Sequence, residues 1–184
     1  MFQQDKEIQL SRDDFSKKGS VDKKIISLIG KINSKAEYYT TSSCSGRIML
    51  MAEGKTKKDA NWVFVSHDKI TFLQLKTALK KIPKQTLWFK FEPMILHVCC
   101  DSIESSKIIL ESAKSAGFKH SGIMATEKRI IVEIRGTDFI SAPLAFSGKI
   151  AVSDLFLKKL INEANTKLKK NELKIKNLEN KIKI

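Results

Sequence analysis

The string Thr40-Thr41-Ser42-Ser43-Cys44-Ser45-Gly46-Arg47 sets small side chains, a glycine and an arginine side by side. Small residues let backbone N–H groups approach an anion or polar ligand closely, and successive N–H groups form an anion-binding nest. Arg47 adds a planar fork matched to a phosphate or carboxylate. The competing reading is a hairpin turn whose hydroxyls bond locally. His67, at the end of Val65-Ser66-His67, has the chemistry of an acid, a base or a ligand, or of a surface histidine with no role. In Phe89-Lys90-Phe91-Glu92-Pro93 the alternation places Lys90 and Glu92 on one strand face and the two phenylalanines on the other. That face offers a cation and an acid or base to a cleft, or a surface ion pair of little worth. His97, in Ile95-Leu96-His97-Val98, keeps apolar company and reads as a core histidine. Tyr38, Tyr39, Trp62 and Trp88 are rings on which bases could stack, at about 1–3 kcal/mol each, or core filling.

Common catalytic signatures are absent. The sequence has no glycine-rich dinucleotide fingerprint, phosphate-binding loop, His-Glu-x-x-His or Gly-x-Ser-x-Gly. The three cysteines, Cys44, Cys99 and Cys100, form no Cys-x-x-Cys pair, so neither a metal site nor an iron–sulfur cluster is expected. Their odd number suits a reducing cytoplasm.

These residues need elements to hold them. A first helix is expected over about 2–16, with Ile8, Leu10 and Phe15 on its apolar side. Ser20 is an expected N-cap for a second helix striped by Ile25, Ile26, Leu28, Ile29 and Ile32. Strands are expected over 38–41, 47–52, 62–65, 87–91, 94–100 and 129–135. Helices are expected over 71–81, ended by Pro83, and 103–116, stopped by Gly117. Neighbouring Cys99 and Cys100 should point to opposite faces of their strand. This order predicts an α+β fold with a mixed β-sheet packed with helices. Leu157, Ile161, Ala164, Leu168, Asn171, Ile175, Leu178 and Ile182 recur at alternating spacings of four and three, a heptad seam on one long C-terminal helix. Two readings of the seam stand: a helix docked on its own domain with a frayed end, or a homodimer in which Asn171 fixes register. The expected division is residues 1–152 as the α+β domain and 153–184 as the helix.

The chain has 184 residues, 42% of them hydrophobic, and carries a formal net charge of +14. It is long enough to bury a core, and the charge calls for a polyanionic partner. No apolar run approaches the roughly 20 residues of a spanning helix, so no membrane is implied. The polar N-terminus does not read as a secretory signal, and a cytoplasmic location is expected.

Several blocks together resemble the tRNA wybutosine-synthesizing protein 3 family. They are Lys18-Gly19-Ser20-Val21-Asp22, the Tyr38-to-Arg47 string, Trp62-Val63-Phe64-Val65-Ser66-His67, Leu87-Trp88-Phe89-Lys90-Phe91-Glu92-Pro93 and Ile95-Leu96-His97-Val98. Gly117-Phe118-Lys119-His120-Ser121-Gly122-Ile123 and Val132-Glu133-Ile134-Arg135-Gly136 continue the likeness. It spans about residues 13–150, and the chain length is similar to the archaeal members. The resemblance implies an S-adenosylmethionine-dependent tRNA methyltransferase that modifies N4 of the wyosine-type tricyclic base at position 37 of phenylalanine tRNA. It also implies a fold unlike the Rossmann-like methyltransferases. His67 is then the first candidate base, with Glu92 and His97 behind it. Ser42, Ser43, Ser45, Gly46, Ser121 and Gly122 are candidates to hold the cofactor. Lys18, Arg47, Lys90 and Arg135 are candidates to bind RNA. A non-catalytic basic RNA-binding module is the alternative.

Overall fold

Alternating side chains build the strands of this molecule, and striped helices pack against them. The computed structural model describes residues 1–12, 20–54 and 61–182. Its elements, in chain order, are α1 (Phe2–Leu10), a 3₁₀ turn (Lys23–Ile25), α2 (Ile26–Asn33), β1 (Tyr38–Cys44), β2 (Arg47–Ala52), β3 (Asn61–Ser66) and α3 (Phe72–Ala78). They continue as β4 (Leu87–Glu92), β5 (Ile95–Cys100), α4 (Ile103–Ser115), β6 (Gly122–Ala125), β7 (Ile130–Arg135), β8 (Ile140–Phe146), β9 (Lys149–Ile150) and α5 (Asp154–Lys181). The fold is α+β, as expected, and it is not a Rossmann fold. The expected single mixed sheet is instead two sheets, β1-β5-β7-β6 and β3-β2-β4-β8-β9, in which every pair is antiparallel.

The chain forms two compact units. The first comprises Met1–Ser45, Met94–Thr137 and Asn171–Ile184. Its core joins Ile25, Leu28 and Ile32 to Leu96, Val98, Val132, Ile134 and Phe118. Ser102 caps α4 by accepting a hydrogen bond from Ser105 N. Gly117, at φ 102°, ends that helix, and Phe118 N donates to Ala113 O at 2.9 Å, a left-handed C-terminal stop. The first helix differs from expectation: Ile8 and Leu10 are exposed, and the contact inward is Phe2, whose ring lies 5.1 Å from that of Tyr39. Phe15 lies outside the described residues. Ser20 is not the cap of the second helix. The residue before the 3₁₀ turn is Asp22, and its carboxylate accepts from Ser45 N at 2.8 Å.

The second unit comprises Gly46–Pro93 and Asp138–Lys170. Ile48, Leu50, Leu87, Phe89, Phe91 and Leu144 form its core with Leu157, Ile161, Ala164 and Leu168 of α5. Thr71 and Gln74 close a capping box on α3. The long helix contributes to both units, and each part buries its seam residues within its own unit. Ile175, Leu178 and Ile182 join the first core, so the end of the helix is packed and not frayed. All eight seam positions are buried by this chain alone, leaving none of that stripe for a second copy. Among the described residues no helix is long and apolar enough to cross a membrane.

Candidate functional site

In the first unit, strand parity brings four predicted or adjacent positions into one row. A bulge in β1 between Thr40 and Ser42 shifts its register so that Ser42 faces His97 on β5. His97 faces Glu133 on β7, and Glu133 faces Gly122 on β6. Leu96, Val98, Val132 and Ile134 fill the core on the opposite face. His97 is therefore not the core histidine expected from its apolar neighbours. Ser42 Oγ lies 2.8 Å from His97 Nδ1, and His97 Nε2 lies 3.1 Å from Glu133 Oε2. The His97 and Glu133 side chains are 22% and 26% exposed, so the row is reachable from solvent yet partly shielded. Arg135 Nη1 stands 3.9 Å from the other oxygen of Glu133. A Cβ placed on Gly122 would meet nothing within 4 Å, so open space lies beside Glu133. The adjoining register pair is Tyr39 and Cys99. Burial pushes the Tyr39 phenol and the Cys99 thiol above their ordinary values, which keeps both neutral.

The loop after β1 is pinned through its backbone. Ser45 N donates to Asp22, and Ser45 O accepts from Asn171 Nδ2 at 2.7 Å. Asn171 Oδ1 also accepts from Met94 N at 2.8 Å. Ser45 Oγ is buried and has no hydrogen-bond partner among the described residues. A buried hydroxyl without a partner costs about 1–3 kcal/mol, a cost that a polar ligand atom could remove. This hydroxyl by itself suits a polar ligand atom. Ser43 lies on β1 opposite Leu96. Ser121 is committed to structure: its hydroxyl donates to Phe118 O at 2.8 Å and accepts from Arg135 N at 3.3 Å.

The second unit holds the remaining candidates. Gly46 has φ 101°, a conformation open to glycine and strained for other residues. Its carbonyl faces His67 Nδ1 at 2.9 Å. A carbonyl only accepts, so Nδ1 carries a proton and donates this bond. Arg47 and Glu92 face each other across β2 and β4. Nε and Nη2 of Arg47 both donate to Glu92 Oε2, at 2.9 and 2.7 Å. The guanidinium also lies 4.5 Å over the Trp62 ring. Glu92 thus pairs with Arg47, and Lys90 stays on the same half-buried face between Met49 and Ser141. Tyr38 and Tyr39 are core residues, whereas Trp62 and Trp88 are half-buried. Lys18 lies outside the described residues.

Two members of these arrangements escaped the sequence reading. Glu133 was quoted only inside a motif, although a lone carboxylate between Val132 and Ile134 marks the polar face of a strand. Asn171 appeared as a polar break in a heptad, with no sign of its backbone partners.

The methyltransferase TYW3 family model matches residues 4–184. The chain belongs to this family. It is 38% identical over 175 residues to a Thermococcus sibiricus protein named tRNA(Phe) 7-((3-amino-3-carboxypropyl)-4-demethylwyosine(37)-N(4))-methyltransferase, covering 94% of this chain and 89% of that one. It is equally identical over 176 residues to a zebrafish (Danio rerio) tRNA wybutosine-synthesizing protein 3 homolog, covering 92% of this chain and 70% of that one. Among solved structures, the PH1069 protein of Pyrococcus horikoshii superposes with a TM-score of 0.86 at 37% identity, covering 97% of this chain and 91% of that one. Family membership implies transfer of a methyl group from a donor.

Proposed function

We propose that this protein is a tRNA(Phe) 7-((3-amino-3-carboxypropyl)-4-demethylwyosine(37)-N(4))-methyltransferase that uses S-adenosylmethionine and works in the cytoplasm. The observation that carries the reading is the match, nearly end to end on both chains, with the archaeal relative of that name. The sulfonium of S-adenosylmethionine supplies an electrophilic methyl group. This chain must align it with the ring nitrogen and keep water away. The orphaned Ser45 hydroxyl, with Ser43 of β1 two residues before it, would hold the cofactor on the first unit, whereas Gly122 lies on the other face of the sheet beside Glu133. Gly46 would serve by its turn and Ser121 by fixing the β6 end, its hydroxyl already being spent. Exposed Arg135, with Lys18, Arg47 and Lys90, would meet tRNA phosphates or bases.

The ring nitrogen gives up a proton when it is methylated, and a side chain must take it. Three candidates stand: His67, Glu92 and His97. Proton uptake by Glu92 would remove the negative charge that its double contact with Arg47 draws on, so the histidines are better placed.

Calorimetry with S-adenosylmethionine, followed by transfer of labelled methyl to phenylalanine tRNA bearing the demethylated precursor, tests the reading. Cofactor binding and label on base 37 are expected. Tight tRNA binding with neither cofactor binding nor transfer would overturn it and favour a non-catalytic RNA-binding module.

A further inference from the structure

We infer that Ser42, His97 and Glu133 form a proton relay for the methyl transfer, in which the Ser42 hydroxyl meets the substrate and Glu133 positions the imidazole. The inference rests on the methyltransferase reading and goes beyond it, because it chooses among the histidines and adds a residue that the candidate list lacked.

The argument starts from donors and acceptors. An ionised carboxylate only accepts hydrogen bonds, so Glu133 Oε2, at 3.1 Å, draws the imidazole proton to Nε2. His97 Nδ1 then has a lone pair, and at 2.8 Å it accepts the Ser42 O–H. Each bond fixes the direction of the next: serine to histidine to carboxylate. This is the order by which an activated hydroxyl passes a proton inward. Sheet geometry rather than flexible side chains holds the three groups, since they sit opposite one another on β1, β5 and β7. The β1 bulge is what delivers Ser42 to His97, and bulges of this kind re-aim side chains beside functional sites. Ser42 is the exposed end and the other two are half-buried. Arg135 stands 3.9 Å from Glu133 Oε1, and the Arg129–Asp5 pair lies by the adjoining Tyr39 and Cys99. Arg135 contacts the oxygen of the carboxylate that the histidine bond leaves free.

The step balances as follows. As the nitrogen–methyl bond forms and the carbon–sulfur bond breaks, the ring N–H proton passes to Ser42 Oγ. The Ser42 hydroxyl proton moves to His97 Nδ1. The positive charge that arrived with the methyl group ends as an imidazolium held against the Glu133 carboxylate, while the ring and the sulfur product are left without it. Ser42 is regenerated, and the His97 proton returns to solvent.

The test has two arms on the full chain. In the first, nitrogen-resolved NMR of the wild-type protein without ligands, at mildly alkaline pH, reads the His97 tautomer. A proton on Nε2 and none on Nδ1 is expected, with that preference lost in Glu133→Ala and kept in Glu133→Asp. A proton on Nδ1, or no response to Glu133→Ala, overturns the relay whatever the enzyme assay shows. In the second, single-turnover methyl transfer is measured with saturating cofactor and tRNA. Ser42→Ala and Glu133→Ala are expected to slow the step by about 10²-fold, with cofactor and tRNA affinities within about twofold of wild type. Ser42→Thr and Glu133→Asp should recover most of the rate. Unchanged rates in folded Ser42→Ala and Glu133→Ala, beside an active wild type, overturn the relay and leave the methyltransferase reading standing. An inactive wild type that binds no cofactor is instead the failure of that broader reading.

Discussion

Cys100 shows how one buried group ties stability to pH. Burial pushes its thiol up to about 12, from an ordinary value of 9.0. Cys99, Tyr38 and Tyr39 are raised too, each chiefly by burial. An acid whose folded value lies above its unfolded one stabilises the fold fully below the unfolded value. It loses that contribution as pH rises toward the folded value. The urea midpoint should therefore hold steady below pH 9.0 and fall above it, and Cys100→Ala should flatten the fall. A midpoint that rose on the alkaline side would contradict this sign. Gly46 is constrained differently, by its backbone at φ 101°, which lets the chain turn directly from the pinned Ser45 into β2.

At the scale of elements, α5 depends on one polar residue. Asn171 is 2% exposed, and its amide satisfies Ser45 O and Met94 N. An amide in a heptad seam reads from sequence as a device for pairing with a second helix. Here both of its bonds go to loop backbone of the same chain. Asn171→Ala would strand two buried backbone groups, and chemical denaturation should show a loss of about 2–5 kcal/mol. Lys159→Ala, on the exposed side of the same helix, should change stability by less than about 0.5 kcal/mol.

For the whole molecule, a net charge of +14 would govern encounter with the proposed tRNA substrate more than it governs folding. Lys158, Lys159, Lys169, Lys170, Lys176 and Lys181 leave the exposed faces of α5 strongly basic. Affinity for tRNA should fall steeply and linearly on a log–log plot against salt. Replacing Lys169, Lys170 and Lys176 with glutamine should shallow the slope and leave cofactor binding unchanged, as titrations at several salt concentrations would show. A slope unchanged by the triple replacement would remove α5 from the tRNA surface.

The sequence by itself determined the local elements and the chemistry they carry. Leu87, Phe89 and Phe91 alternate with Trp88, Lys90 and Glu92, and β4 buries one set and half-exposes the other as the pattern requires. The bounds of β2 and the stripe of α5 were equally legible, because a two-residue or near four-residue period is written in consecutive side chains. Strands β6, β8 and β9 were not read: β6 is four residues and mostly exposed, Pro143 and the small Ala142 and Ala145 give β8 little strand signal, and β9 is two residues long. Only the tertiary structure decided the pairing. β1 meets β5 and β4 meets β8 across long stretches of chain, so two antiparallel sheets replace one mixed sheet. The same limit hid the relay. Apolar neighbours along the chain made His97 look like a core residue, but its partners Ser42 and Glu133 come from other strands, and only long-range register puts them beside it.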